Sequence, residues 1–370
     1  MICKRTLHLI LLSLFGVFSI MLYAVESGSQ NCKGLVGEGK GIAQQEVSFA
    51  DKWSFVGAAI EEEGYEIWGS SPIRDEEGKV HLFAARWPHV SKHEGWTSES
   101  EIAHYMADSP EGPFKFIDVV LKGTQHDTWD KYAPHNPTIH KVDDNYVLLY
   151  IANSDYHKPF HPSNQKIGMA ISKSLNGPWK KVGVDGCILK PSEDSSFWNY
   201  KAWNGVNNPA FLKNPKGGYM MYFKSGGPKV GFAQMGVAFS DKLEGPWKMY
   251  NHPVTKNNVT IEDGYAFIYK DEICLLTTDN HGIIQEGCGL IWSSEDGINF
   301  TSYEKGFHRP EKYIPKEIIS KAKLLKGAYA KFERPQVLLI NGKVSYLYVP
   351  CTANMNGKES TASYILKFNE

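Results

Sequence analysis

Hydrophobic and polar positions along this chain fall in short bursts that recur in a fixed order, without the 3.6-residue stripe of amphipathic helices. Residues 134–155 show the pattern: an Asn-Pro opening at Asn136 and Pro137, a strand through Ile139, a polar turn at 143–145, then an apolar run from Tyr146 to Ala152. Runs of this length between turn residues read as strands, and one that is apolar at every position reads as a strand buried on both faces. The same order returns at 207–225 and, more weakly, at 71–84, 262–276 and 333–348. After four of the five comes a second signature, a turn closing on an aromatic residue: 109–115, 174–180 and 242–248 carry Gly-Pro before Phe114, Trp179 or Trp247, and 294–300 closes on Phe300.

A unit of roughly 65 residues that supplies about four strands is one blade of a β-propeller, so the predicted fold is all-β, a five-bladed ring. A β-sandwich is the competing reading, but it gives no reason for the two signatures to recur in a fixed order. The fifth unit ends at 364–368 without the aromatic turn, as expected if the ring takes its last strand from elsewhere. Residues 51–63 read either as a short helix or, at 53–60, as that closing strand. Residues 310–331 predict one helix, inserted before the fifth blade.

The N-terminus changes the domain picture. Lys4 and Arg5 precede an apolar run over 7–23 and a small residue at Ala24, so 1–24 reads as a secretory signal peptide and the protein as secreted or periplasmic. The run is close to spanning length, which leaves an uncleaved anchor as a second reading. A polar, Gly-rich lead-in over 25–50 then reaches the propeller at 51–370. With 40 basic residues against 41 acidic ones nothing points to a nucleic-acid partner, and nothing beyond the signal segment predicts a membrane. Of the six cysteines, five follow the signal segment and none has metal-type spacing; Cys274 and Cys288 read either as a cross-strand bridge or as buried thiols.

Inner strands of a propeller line one central channel, so the starts of five inner strands converge although they are distant in sequence. These starts are Trp68 to Ser71, His135-Asn136, Asn207-Asn208, Glu262-Asp263 and Glu333-Arg334. Polar pairs set before apolar strands predict a polar ligand. Trp68, with Trp87, Trp129 and Trp203, supplies candidate faces for stacking on a pyranose.

On the blade repeat, the residue-Pro strand openings and the Gly-Pro-aromatic turns, the chain from about Trp53 to Phe368 resembles the five-bladed propeller glycoside hydrolases of families 43 and 117 and their neighbours. The resemblance implies hydrolysis of glycosidic bonds in oligosaccharides from a complex plant or algal polysaccharide, acting from a chain end. Family 43 sets a catalytic Asp before Pro in blade one, a second Asp in blade two and a Glu acid in blade three. Here the matching places hold Ser71-Pro72, Asn136-Pro137 and Asn208-Pro209. The acids are therefore expected on blades four and five, with Asp263 and Glu333 first and Glu262 next, since acetal hydrolysis needs one proton donor and one base or nucleophile. His281 is a further candidate acid, on the likeness to family 117, with Asp279 orienting it. Ser71, His135, Asn136 and Asn208 are expected to hydrogen-bond the sugar, and Arg334 and Arg86 to receive an anionic one. No cofactor is expected, although the family 43 resemblance leaves room for a channel ion such as calcium. Two other classes stay open: a carbohydrate-binding propeller without turnover, and a polysaccharide lyase with His135, Tyr265 and Arg334 in the active roles.

Overall fold

A computed structural model describes residues 47–318, 331–355 and 358–370. Five antiparallel sheets follow one another along the chain, each meandering from an inner strand outward. The inner strands are Tyr65–Arg74, Tyr132–Val142, Asn207–Lys213, Glu262–Tyr269 and Gln336–Ile340. The signal segment, the lead-in up to residue 46 and most of the helix expected over 310–331 lie outside the described residues; what is described there begins with a 3-10 turn at Pro310–Lys312.

The ring is held by one apolar core between each pair of neighbouring blades. The strand Asn145–Asn153 shows how its sequence produces this. Val147, Leu149 and Ile151 join the core shared with blade three, while Leu148, Tyr150 and Ala152 join the core shared with blade one. Side chains alternate across a strand, so a strand covered on both faces must be apolar at every position. The aromatic turns extend these cores across blade boundaries: Trp179 of blade two meets Phe83 of blade one at 5.5 Å, and Phe114 of blade one meets Tyr348 of blade five at 6.0 Å.

Closure comes from the N-terminal strand Trp53–Ile60, which pairs antiparallel with Lys358–Phe368 as the outermost strand of the fifth sheet. Of the two readings of 51–63, the closing strand is the one formed, after a 3-10 turn at Phe49–Lys52. This pairing joins the first and last described strands in one sheet and so closes the ring, with Trp53–Ile60 as that sheet's outer edge. Cys274 and Cys288 are separate buried thiols.

One element of the repeat is displaced from its expected register. Asn136, Asn208, Asp263 and Arg334 all have left-handed backbone and stand immediately before Pro137, Pro209, Gly264 and Pro335. In blade one the left-handed residue is Gly69, and the ladder skips from Trp68 to Ser71 as it skips around Asn136, Asn208 and Asp263. The blade-one match is therefore Gly69-Ser70. Ser71 and Pro72, which the sequence set in that place, lie two residues further down the strand.

Candidate active site

At the ring axis the five left-handed residues form a closed network. Asn136 Nδ2 donates to Asn208 Oδ1 at 2.8 Å, Asn208 Nδ2 donates to Asp263 Oδ1 at 2.5 Å, and the Arg334 amide donates to Asp263 Oδ2 at 3.3 Å. The Arg334 guanidinium then crosses the axis and donates to the carbonyls of Asn136 at 3.0 Å, Pro209 at 3.1 Å and Gly264 at 3.4 Å. Gly69 completes the ring by having no side chain: a Cβ there would lie 3.1 Å from Arg334 Cγ and 3.2 Å from Asn136 Oδ1. Asn and Asp tolerate the left-handed region because their short side chains bond locally; Arg334 is held in it by three blades.

This network corrects the expected roles of several residues. Arg334 is wholly buried and Asn136, Asn208 and Asp263 nearly so. Arg334, Asn136 and Asn208 thus form the floor of the site and hold the blades together: the two Asn amides donate along the line from Asn136 to Asp263, and the guanidinium donates to backbone carbonyls. Ser71 is also wholly buried and accepts the Ile139 amide of blade two at 3.1 Å. Arg86 sits in blade one between Glu62 at 2.5 Å and Glu101 at 3.0 Å, with the rings of Tyr65 and Phe116 each 4.3 Å away. Asp279 turns both oxygens to the backbone amides of Gly282, Ile283, Ile284 and Gln285 at 2.8 to 3.0 Å, so it builds the loop that carries His281. A channel cation does not fit either: the carbonyls that converge on the axis already accept from a guanidinium.

One residue before each axial residue stand Trp68, His135, Asn207, Glu262 and Glu333. Of these Trp68, Glu262 and Glu333 remain partly exposed, while His135 and Asn207 are buried. Glu262 is ion-paired with Lys224, which lies opposite Asn207 on the second strand of blade three, and Glu333 is paired with Lys331 at 2.7 Å. Asp263 lies beneath them. His281 is exposed, yet near enough to Glu262 to favour its charge. The structure thus brings all four expected catalytic groups to one place, on blades four and five.

Their titration is driven apart. Burial alone would raise Glu262, but the Lys224 ammonium outweighs it and holds the carboxyl below its ordinary value. Burial pushes Glu333 up, Lys331 opposes this, and the Glu262 charge adds to it. Burial and the charge of Glu262 push Asp263 up to about 6 against the pull of Lys224. His135 is held neutral, down at about 3, by burial and by the Arg334 charge. Ser100 Oγ donates to the Pro134 carbonyl at 2.9 Å and stands 2.9 Å from His135 Nδ1, which makes Nδ1 the protonated nitrogen and leaves Nε2 an acceptor.

Of the other aromatic candidates, Trp87 is buried against His135 with ring centroids 5.5 Å apart, Trp129 packs on Tyr150 in the core between blades one and two, and Trp203 is exposed. Tyr265 is buried in the core of blades four and five, away from the role of a lyase base. Lys224 and Lys331 were not singled out from the sequence. The signal for Lys224 was present, since a charged residue inside the strand Tyr219–Gly226, otherwise largely apolar, demands a buried partner.

No family model matches the sequence, and no curated protein matches it. Solved structures do. One is a family 117 glycoside hydrolase from the marine bacterium Zobellia galactanivorans, 15% identical, with a TM-score of 0.61 over 85% of this chain and 89% of that one. Another is a family 43 β-xylosidase/α-arabinofuranosidase from a compost metagenome, in complex with xylotriose and in a calcium-free form, 15% identical with a TM-score of 0.56 over 84% and 94%. A third is an α-L-arabinanase mutant from Cellvibrio cellulosa, 14% identical with a TM-score of 0.52 over 82% and 91%. At these identities the likeness establishes the fold, the five-bladed propeller that the sequence pattern predicts.

Proposed function

We propose that the protein is a glycoside hydrolase whose proton donor is Glu333 and whose base is Glu262. The observation that carries this reading is the opposite displacement of two partly exposed carboxyls over one polar floor: Lys224 holds Glu262 ionised, while burial and the Glu262 charge favour the protonated form of Glu333. Two carboxyls with environments that push them apart are what acetal hydrolysis requires. Glu333 would protonate the leaving oxygen, and Glu262 would take a proton from the water that adds to the anomeric carbon. Asp263, both oxygens engaged with Asn208 and the Arg334 amide, would set the charge of the floor without touching the sugar. His281 would stand over Glu262 at the rim, and Trp68 would offer a stacking face across the ring. The fold shared with family 43 and family 117 enzymes supports the same reading, as does an N-terminal segment suited to export, where polysaccharide fragments would be met.

A second reading has an observation of its own. Both rim carboxylates are ion-paired to lysines, as a binding propeller without turnover would allow. Incubation with plant and algal oligosaccharides, followed by product mass, separates the cases: products heavier by one water support hydrolysis, unsaturated products indicate a lyase, and tight binding without product supports the binding propeller.

A further inference from the structure

Away from the axis, across the ring from blade four, blades one and two part to form a cleft of about 560 Å³. Its size is in the range that holds a small-molecule ligand. Tyr65 and Pro88 line it from blade one, and Tyr132, Ala133 and Tyr156 from blade two, with Ser98 to Glu101 and Lys122 to Gln125 also lining it. Its three tyrosines are all partly exposed, and the rings of Tyr132 and Tyr156 meet edge to face at 4.9 Å. Such surfaces suit the apolar faces of sugar rings, with hydroxyl groups left to bond the polar lining.

The cleft reaches toward the centre at Ser100 and along the inner strand from Ala133. Ser100 lines it and contacts His135, which stands immediately before the axial Asn136. Its charge is also defined. Glu101 is shared between Arg86 and Lys122, each at 3.0 Å, and Glu99 accepts from Ser91 at 2.7 Å. With the Lys131 ammonium 5.4 Å from the centre of the Tyr132 ring, two carboxylates and two ammonium groups leave the cleft near charge balance, and Arg86, buried behind Glu101, presents no free guanidinium to a uronate or sulfate.

We infer that this cleft binds further residues of the substrate chain and that these residues are neutral sugars. A glycan whose scissile bond lies between Glu262 and Glu333 would run across the ring, past Trp68 and His135, into the space between blades one and two. The inference rests on the glycosidase reading of the centre and assigns the direction of the chain and the charge class of its distal residues.

Calorimetric titration tests it, in a Glu333→Gln background so that nothing is consumed. The probes are xylo-, arabino- and galacto-oligosaccharides of one to four residues, with oligogalacturonides of equal length as the anionic comparison. The expected result is a gain of at least about tenfold in affinity from the disaccharide to the tri- or tetrasaccharide in one neutral series, the scale of a well-placed aromatic contact. Tyr132→Ala and Tyr156→Ala should each abolish that gain and leave disaccharide affinity within about threefold. Tyr156 follows the second strand of blade two, so its truncation spares the sheet even where Tyr132→Ala, on the inner strand, fails to fold. Affinity that is flat with length, a gain that survives both truncations, or equal binding of oligogalacturonides overturns the cleft assignment; turnover of disaccharides by the wild-type protein would then still stand. Absence of binding by every sugar overturns the cleft and the glycosidase reading together.

Discussion

Asn208 donates its side-chain amide to Asp263 across 2.5 Å, from one left-handed residue to the next around the ring. That contact joins blade three to blade four at the axis. It also explains why the innermost carboxylate is part of the floor: Asp263 is buried, and each of its oxygens accepts from a protein donor.

Arg334 is expected to be the most costly single residue of the axis to lose. Arg334→Met leaves three inner-strand carbonyls without their donor and Asp263 without a neighbouring cation, and breaking a buried charged arrangement costs about 3–5 kcal/mol. Arg334→Lys should rescue little, since one ammonium, a point charge with a shorter reach, does not reproduce the fork. Urea unfolding with both variants checks this; near-wild-type stability of Arg334→Met would remove the axial role.

Gly69→Ala should also destabilise, by about 1–3 kcal/mol, because a Cβ would press on Arg334 Cγ at 3.1 Å in a residue whose φ is 62°. Ser71→Ala is predicted to cost only about 1 kcal/mol, the value of its bond from Ile139, and to leave turnover unchanged. Thermal melts and steady-state rates on the two variants measure the contrast.

Glu262→Gln and Glu333→Gln keep shape and remove one ionisable group each. Turnover should fall by at least about a hundredfold in either, with substrate affinity retained. Full activity in either variant would reject the assignment of acid and base.

Lys224→Met removes the cation that holds Glu262 ionised. The acidic limb of the rate profile should then move to higher pH, because a buried carboxylate without its partner ionises less readily. An unmoved limb would mean that Glu262 is not the base.

Asp263 gives a stability prediction with a definite sign. Its folded pKa, about 6, lies above the ordinary 3.8, so its contribution is fully present below about pH 3.8 and lost as pH rises through 6. The loss at neutral pH is at most about 3 kcal/mol. In Asp263→Asn this titration is absent, so stability relative to wild type should improve between pH 4 and 7, whatever constant cost the amide imposes. A difference that does not vary across that range would show that Asp263 titrates normally.

The sequence by itself determined the five blades, the order of their strands and the polar pairs that meet at the axis. Its period-two runs, apolar on both faces at 145–153, allow few other packings, and the polar pairs Glu262-Asp263 and Glu333-Arg334 fall at strand starts that any such ring brings to its axis. Even the closing strand at 53–60 was legible, as one of two alternatives. What only the tertiary structure decided is which member of each pair turns inward. The left-handed backbone at Asn136, Asn208, Asp263 and Arg334 sends those side chains to the axis and leaves Glu262 and Glu333 at the rim. In blade one it moves the match from Ser71 to Gly69. Lys224 finds Glu262 from another blade, and Arg334 bonds a carbonyl 198 residues away. Strand patterns are set by neighbours two residues apart, whereas a buried charge is satisfied by whatever partner the closed ring brings within reach.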